Sequence, residues 1–288
     1  MRLLLALLLA VPVTLPKYES IKSAARYATA EEYDAALKDT RFVITRVSYE
    51  SDGLTVFAYL YAPAKPQGRL PVVVFNRGSW TWPEFAGEYL TTFHHLGRAG
   101  FVVIAPMIRG SGGAEGRDEL GGADLDDLMN VTKVIAELPY ADAKNVFMYG
   151  TSRGGMMTYQ AIRDGFPMRA AATFGAFTDL AALTTPGSKF EKTALMVWPD
   201  FAEKKEAITT RRSAMQWADK LTVPLLILHG GADNELPPSQ SLRLASRLQE
   251  LGREYELVIR AGDNHVLTAW RNERDALAVE WFRRHMAP

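Results

Sequence analysis

Short apolar runs alternate with helix-length segments along most of this chain. The runs lie at 72–75, 101–104, 146–149, 170–174, 225–228 and 255–259. The helix-length segments lie at 85–98, 125–138, 155–164, 239–251 and 272–285. Continuous apolar strands separated by helices are typical of a mostly parallel sheet that is covered on both faces. The pattern therefore predicts an α/β fold with helices on both sides of a central sheet.

The first part of the chain has a different pattern. Residues 42–49 and 54–61 alternate polar and apolar side chains around Asp52-Gly53, which predicts an antiparallel β-hairpin at one edge of the sheet. Residues 17–41 before the hairpin form a polar, helix-like lead. Residues 177–220 interrupt the alternation and are interpreted as a cap insertion over the sheet. We therefore expect one α/β catalytic domain at 42–288.

The N-terminus has the composition of an export signal. Met1-Arg2 is followed by an uncharged, apolar run from Leu3 to Val13. A short basic start before 7–15 apolar residues is typical of a signal peptide, and the run is too short to span a bilayer as a helix. We expect residues 1–16 to be a signal peptide and the protein to be periplasmic or secreted. It would be cytoplasmic if this segment is not a signal.

Composition excludes several classes of function. The 288 residues carry 33 Lys plus Arg and 33 Asp plus Glu, so the formal charge is +0. Nucleic acids and anionic membranes require a basic surplus, and neither is expected as a partner. There are no cysteines, which excludes disulfides, thiolate metal sites and cysteine nucleophiles. No histidines and carboxylates have the spacing of metal ligands, so neither a metal nor another cofactor is predicted, and the expected partner is a small substrate.

A candidate nucleophile follows the run at 146–149. Gly150-Thr151-Ser152-Arg153-Gly154 matches G-x-S-x-G, and a helical segment begins directly after it. In this motif a sharp turn between a strand and a helix lifts the serine hydroxyl above the sheet, and the glycines let neighbouring backbone approach. A glycine-rich turn that happens to contain a serine is the alternative. The position between a strand and a helix favours Ser152 as a nucleophile.

An acid and a base follow later strands in the order that an α/β-hydrolase requires. A serine needs a base to accept its proton and a third group to orient that base. Asp233 follows the run at 225–228, and His265 follows the run at 255–259. We expect both in loops at the sheet edge where Ser152 lies. Asp263 is an alternative acid, and His229 is interpreted as a residue that shapes the loop before Asp233.

The developing oxyanion needs preorganised donors. The backbone N–H of Arg153, directly after the nucleophile, is one candidate. The loop after the run at 72–75 would supply the other, through the Asn76 side-chain amide or the Arg77 N–H. A glycine-rich loop at 109–113 is expected to border the site.

Aromatic residues are candidates for substrate contacts. Trp80 and Trp82 follow the predicted oxyanion loop, and Trp198 lies in the insertion together with Phe190 and Phe201. These side chains would line an apolar cleft, and the alternative is that they belong to the core.

Several of these segments together resemble one family. Gly150–Gly155, the loop Arg109–Gly113 and the stretch Leu225–Ser241 are similar to the catalytic domain of the prolyl oligopeptidase family of serine peptidases, which has the α/β-hydrolase fold. The resemblance runs from about Val43 to the C-terminus. It implies Ser152 as nucleophile, Asp233 as acid and His265 as base, and it places Asn76 at a position that can donate to the oxyanion.

The chain departs from the family in two respects. The usual His-Gly-Gly-Pro or tyrosine-containing oxyanion loop reads Asn76-Arg77-Gly78-Ser79 here. The larger peptidases also carry an N-terminal β-propeller, whereas only about 70 residues precede the first predicted core strand, fewer than two blades would need. Relatives without a propeller include esterases.

The sequence therefore predicts a serine hydrolase of the prolyl oligopeptidase type, which cleaves short peptides through an acyl-enzyme on Ser152. A carboxylic-ester hydrolase with the same triad is the first alternative. A non-catalytic binding protein on a hydrolase scaffold is the second.

Overall fold

The computed structural model describes residues 10–79 and 85–288. The strands are β1 (Val11–Pro12), β2 (Phe42–Ser51), β3 (Leu54–Pro63), β4 (Leu70–Asn76), β5 (Val102–Pro106), β6 (Ala141–Thr151), β7 (Ala170–Phe174), β8 (Leu225–Gly230) and β9 (Tyr255–Arg260). The helices are α1 (Ala24–Tyr27), α2 (Ala30–Lys38), α3 (Leu90–Arg98), α4 (Leu125–Met129), α5 (Val131–Glu137), α6 (Arg153–Arg163), α7 (Leu180–Leu183), α8 (Lys189–Val197), α9 (Phe201–Arg211), α10 (Ser239–Glu250) and α11 (Arg271–Arg284). Short 3-10 turns lie at Tyr18–Ser20, Ala214–Lys220 and Thr268–Trp270.

The strands described form one sheet in the order β1-β2-β3-β5-β4-β6-β7-β8-β9. The pairs β1–β2, β2–β3 and β3–β5 are antiparallel, and every pair from β5 to β9 is parallel. The predicted α/β fold, with a mostly parallel sheet and an antiparallel hairpin at its N-terminal edge, is confirmed.

The strand order brings the functional loops together. β4 lies between β5 and β6, and Asn76 at its end pairs with Gly150 of β6. The loop after β4 therefore begins beside the turn that carries Ser152. The parallel neighbours β7, β8 and β9 end at the same edge, which is where ligands bind in sheets of this kind.

Alternate side chains of each central strand pack on opposite faces of the sheet. Val72 and Val74 of β4 belong to an apolar cluster with α6, whereas Val73 and Phe75 belong to a second cluster with α3 and α11. All four are fully buried. Because both faces are covered, β4 reads as a continuous apolar run instead of an alternating one.

Some predicted helices differ from the structure. The segment 85–98 is helical only from Leu90, because residues 86–89 form a turn. The segment 125–138 is two helices that meet at Asn130, the C-cap of α4 and the N-cap of α5. The helix-like lead at 17–41 consists of a 3-10 turn and two short helices.

The N-terminal lead packs onto the rest of the molecule. Tyr33 of α2 is buried in the cluster that contains α3 and α11. Glu32 accepts hydrogen bonds from the Arg271 guanidinium at 2.7 and 3.0 Å, and Arg26 pairs with Glu235. The lead therefore contacts loops and helices from the far end of the sequence.

The predicted signal peptide overlaps the folded region. Val11 and Pro12 pair with β2, and the Tyr33 hydroxyl donates to the Pro16 carbonyl at 2.7 Å. Cleavage after residue 16 would remove both contacts. Among the described helices, none is long and apolar enough to cross a membrane.

The residues predicted as an insertion, 177–220, lie between β7 and β8 and form α7, α8, α9 and a 3-10 turn. The beginning of α8 reaches the carboxyl edge of the sheet, where Lys189, Phe190 and Thr193 line a cavity that also contains Ser152.

Candidate active site

Ser152 lies in a strained turn between β6 and α6. Its backbone has φ 52° and ψ −118°, a left-handed conformation that a residue with a Cβ seldom adopts. Its N–H donates to the Phe174 carbonyl of β7 at 2.9 Å, which fixes the turn to the neighbouring strand. The side chain is partly exposed. This is the geometry of a nucleophile elbow.

The glycines around Ser152 are required by close backbone contacts. A Cβ on Gly154 would lie 2.0 Å from the Asn76 carbonyl oxygen, and a Cβ on Gly150 would lie 2.5 Å from the Gly154 carbonyl oxygen. A Cβ on Gly155 would lie 2.4 Å from the Ala176 Cβ. Side chains are therefore excluded on both sides of the turn.

Asp233 and His265 form a buried pair. The Asp233 Oδ2 and His265 Nδ1 atoms are 2.7 Å apart, and both side chains are nearly inaccessible to solvent. An ionised carboxylate can only accept, so Nδ1 donates and Nε2 of a neutral His265 is left as the proton acceptor. Asp233 thus selects the tautomer that a general base needs.

Ser152 and His265 line the same cavity, which has a volume of about 290 Å³. Its other described walls include Leu120, Phe177 and Leu236. Between the described residues Ser152 and His265 there is no direct hydrogen bond. Catalytic hydrogen bonds are often long in free enzymes and tighten when substrate binds.

Asp233 also contacts a residue that the sequence analysis assigned only to loop shaping. His229 is the penultimate residue of β8, is fully buried, and places Nε2 3.0 Å from Asp233 Oδ2. A histidine at the end of a buried apolar strand needs a polar partner, which was the signal available in the sequence. Hydrogen bonds from His229 and His265 hold the pKa of Asp233 well below its usual range, although burial acts in the opposite direction.

The oxyanion loop differs from the prediction at Asn76. The Asn76 side-chain amide points into the interior and donates to Thr158 Oγ1 at 2.8 Å, so its side chain does not serve the oxyanion. Gly78 lies against Ser152, because a Cβ on Gly78 would be 3.3 Å from Ser152 Cβ. The Arg153 N–H belongs to the first turn of α6, where amides have no intrahelical partner. The Gly78 N–H donates to the Tyr89 hydroxyl at 3.3 Å, so the backbone amides of Arg153, Arg77 and Ser79 are the candidate donors.

Two buried arginines hold that loop in place. Arg77 and Arg153 both donate to the Ser79 carbonyl, at 3.1 and 3.2 Å. Arg153 is in turn bound by Asp118 at 2.6 Å and by Asp124 at 2.7 Å. Burial and the neighbouring Arg153 lower the pKa of Arg77 to about 10. The backbone N–H of Arg77 was predicted as an oxyanion donor. The side chain of Arg77 in addition holds the loop in place through the Ser79 carbonyl.

The glycine-rich loop at 109–113 supports the same region. Ser111 Oγ accepts from Arg77 at 3.1 Å, while Arg109 forms a buried ion pair with Asp127 at 2.7 Å. The loop thus lies directly behind the oxyanion loop.

The aromatic residues predicted to contact substrate do not all line the cavity of Ser152. Trp80 and Trp82 lie outside the described residues. Trp198 lies away from the cavity of Ser152, in a small buried cluster with Phe201, and its indole N–H donates to the Glu119 carbonyl at 2.8 Å. This packing makes Trp198 a core residue, so its prediction as a substrate contact was wrong, whereas Phe190 does line the cavity.

The alternative acid has a structural role. Asp263 accepts hydrogen bonds from the backbone N–H groups of Asn264 and Ala269 and so caps the loop that carries His265. Within residues 10–79 and 85–288, no group of three His, Asp or Glu side chains could hold a metal ion.

The chain is similar to known peptidases. A sequence model of the prolyl oligopeptidase family matches residues 88–288. The uncharacterized peptidase YuxL of Bacillus subtilis is 28% identical over 251 residues, covering 82% of this chain and 38% of the relative. The uncharacterized peptidase YtmA of the same organism is 24% identical, covering 79% of this chain and 88% of the relative. The chain thus spans less than two fifths of the longer relative.

Solved structures share the fold. The acylaminoacyl peptidase of Pyrococcus horikoshii superimposes with a TM-score of 0.69 at 20% identity, covering 85% of this chain and 42% of that protein. An esterase of Pyrococcus furiosus has a TM-score of 0.69 at 17% identity, covering 87% of this chain and 94% of that protein. The shared architecture extends over both peptidases and an esterase.

Proposed function

Because this chain belongs to the prolyl oligopeptidase family, we propose that it is a serine hydrolase that cleaves short peptides through an acyl-enzyme on Ser152. The observation that supports this most directly is the 2.7 Å hydrogen bond from His265 to Asp233, in a cavity that also contains the strained Ser152. These three side chains come from loops after β6, β8 and β9.

In the first half of the proposed reaction, Ser152 Oγ attacks the carbonyl carbon of the substrate. Its proton passes to His265 Nε2, and Asp233 stabilises the imidazolium that results. The negative charge on the carbonyl oxygen is stabilised by the Arg153 N–H and by the N–H of Arg77 or Ser79. His265 then protonates the leaving amine as the C–N bond breaks, which leaves an ester on Ser152.

The second half releases the acyl group. A water molecule gives a proton to His265 and attacks the ester carbon. The tetrahedral intermediate collapses, Ser152 recovers its proton from His265, and the carboxylic acid leaves. Each proton that Ser152 or water loses is thus carried by one imidazole.

Labelling with a fluorophosphonate tests the proposal. Wild type should be labelled and should hydrolyse a peptide amide, and Ser152→Ala should lose both while its unfolding transition stays close to that of wild type. Turnover that survives in Ser152→Ala would contradict the proposed nucleophile. A folded wild type that is not labelled would favour the binding-protein alternative.

A carboxylic-ester hydrolase with the same triad is the second candidate. Phe177, Phe190 and Leu236 give the cavity apolar walls that suit an acyl chain, and the similar Pyrococcus furiosus enzyme is an esterase. The two candidates differ in their leaving group. A matched amide and ester of the same acyl group, compared by kcat/KM, distinguishes them, since an ester preference far above the intrinsic reactivity difference favours the esterase.

A further inference from the structure

Asp233 Oδ2 lies between two imidazoles. His265 Nδ1 is 2.7 Å away on one side and His229 Nε2 is 3.0 Å away on the other. We propose that His229 is a positioning residue for the triad, which holds the Asp233 carboxylate in the orientation that His265 needs and takes up part of its charge. The proposal rests on the proposed function of Ser152, Asp233 and His265.

The contacts of His229 determine its tautomer. Its Nε2 lies 3.0 Å from Asp233 Oδ2 and 3.1 Å from the Leu236 carbonyl oxygen, and both of these atoms can only accept. Nε2 must therefore carry a proton. Nδ1 lies 2.7 Å from Ser241 Oγ, whose hydroxyl can donate to the remaining lone pair. A neutral His229 thus satisfies all of its contacts, and its N–H points at the catalytic carboxylate.

The two oxygens of Asp233 are held by different groups. Oδ1 accepts the backbone N–H groups of Glu235 and Leu236, at 2.8 and 2.9 Å. Oδ2 accepts only from imidazoles among the described residues. Without His229, Oδ2 would be fixed by His265 alone, which must itself move a proton during the reaction. His229 supplies a partner for Oδ2 that takes no part in that transfer.

The second N–H also changes the electrostatics of the base. A carboxylate that accepts from His229 presents less negative charge to His265, so the His265 imidazolium is less stabilised. Other charged side chains lining the cavity around His265 are Arg153, Lys189 and Glu235. Arg274 of α11 binds the adjacent Val266 carbonyl. None of these groups changes when His229 is replaced, so a shift in the pH profile of kcat/KM would report on Asp233.

The test compares His229→Phe with His229→Gln. Phenylalanine fills the space without a donor, whereas the glutamine amide can donate to the same carboxylate oxygen. In His229→Phe we expect kcat/KM to fall about tenfold and the acid limb of its pH profile to move to higher pH by about 0.5–1 unit. In His229→Gln, both kcat/KM and the position of the acid limb should return most of the way to the wild-type values. An acid limb that stays in place or moves to lower pH, or a glutamine variant equal to the phenylalanine variant, would overturn the proposal.

Nitrogen NMR of the five imidazoles separates this inference from the proposed function. In wild type at neutral pH, the proton of His229 should lie on Nε2, which donates to Asp233, and Nδ1 should accept from Ser241. This readout needs neither turnover nor a variant. An Nδ1–H tautomer of His229 would overturn the proposal even if Ser152 proves essential. Loss of Ser152-dependent turnover with the expected NMR result would overturn only the function.

Discussion

Asp233 is stabilised as a carboxylate by its surroundings. Its side chain is inaccessible to solvent, yet two imidazole N–H groups and two backbone N–H groups hold its pKa below the usual range. Burial alone would favour the protonated form. The hydrogen bonds outweigh that effect because each of them stabilises the ionised carboxylate.

The depressed pKa of Asp233 gives a pH-dependent stability. The unfolded pKa of an aspartate is about 3.9, so ionised Asp233 stabilises the fold above that pH, and the contribution is lost as the pH falls through it toward the folded value. Asp233→Asn should lower the free energy of unfolding by about 2 kcal/mol at neutral pH, and the difference from wild type should narrow below pH ~4. Urea unfolding between pH 3 and 7 measures this.

Asp34→Asn is the control for this experiment, since Asp34 is an exposed partner of Lys38. Exposed pairs contribute little, so its effect should stay within about 0.5 kcal/mol across the range. If the free energy of unfolding of Asp233→Asn differs from that of wild type by the same amount at every pH, an ionised Asp233 in the folded protein is contradicted.

Gly154 offers a second test at the level of one residue. An alanine Cβ would overlap the Asn76 carbonyl oxygen at 2.0 Å, so backbone must shift between β4 and α6. Gly154→Ala should lower the free energy of unfolding by about 1–3 kcal/mol and abolish labelling of Ser152. In the control Gly165→Ala the new Cβ meets no atom of the described residues within 4 Å, and only its φ of +81° costs stability, so labelling should persist. Equal labelling of both variants would contradict the steric argument.

The oxyanion loop depends on side chains that are distant in sequence. Ser79 has a φ of +61°, and its carbonyl is held by guanidinium groups from the loop itself and from α6. Asp118 lies 2.6 Å from Arg153 and 3.8 Å from Arg77, so one carboxylate balances both cations. This arrangement gives the loop, which lacks the sequence usual for the family, a support of its own.

Arg77→Met should therefore affect the transition state more than substrate binding. The variant removes the hydrogen bonds to Gly78 and Ser79 but leaves the triad untouched. We expect kcat to fall about tenfold with KM changed by less than about twofold, because the oxyanion forms only after the substrate has bound. Steady-state kinetics at several substrate concentrations measures the two constants.

Arg41→Met is the matched control, since Arg41 is exposed and pairs only with its neighbour Asp39 among the charged groups described. Its kinetic constants should equal those of wild type. A rise in KM without a fall in kcat in Arg77→Met would contradict a role in the oxyanion loop.

Regular elements were predictable from the sequence to a greater extent than side-chain directions. Most of the apolar runs became central strands that are buried on both faces, and that burial is visible as composition, whereas the run at 255–259 became the partly buried edge strand β9. The direction of Asn76, the packing of Trp198 and the contact of His229 with Asp233 depend on hydrogen bonds between separate loops. No local pattern encodes those, so the sequence indicated Ser152, Asp233 and His265 by order but did not indicate what surrounds them.

At the scale of the molecule, the N-terminal lead is part of the fold. Tyr33 is 1% exposed, its hydroxyl donates to the Pro16 carbonyl, and burial raises its pKa to about 12. The hydrogen bond connects the lead to the segment that the sequence analysis assigned to a signal peptide. The effect of Tyr33 variants therefore depends on where the mature chain begins.

In a chain that includes Pro16, Tyr33→Phe should lower the free energy of unfolding by about 1 kcal/mol, and in a chain that starts at Lys17 it should have almost no effect. Tyr33→Ala should cost about 3–5 kcal/mol in both, because it leaves a cavity. Urea unfolding of the four variants and the two parent chains measures this. An equal cost of Tyr33→Phe in both chains would contradict the contact with Pro16.

The contacts between the two ends of the chain also bear on when activity first arises during synthesis. Glu32 and its partner Arg271 are separated by 239 residues, and Arg26 and Glu235 by 209. At about 5–20 residues per second, a ribosome needs roughly 10–50 s to make the stretch from Glu32 to Arg271. During that time the lead has none of these partners, and the loop that carries His265 emerges after every described strand of the sheet. The nascent chain can thus form much of its sheet before the proposed triad is complete.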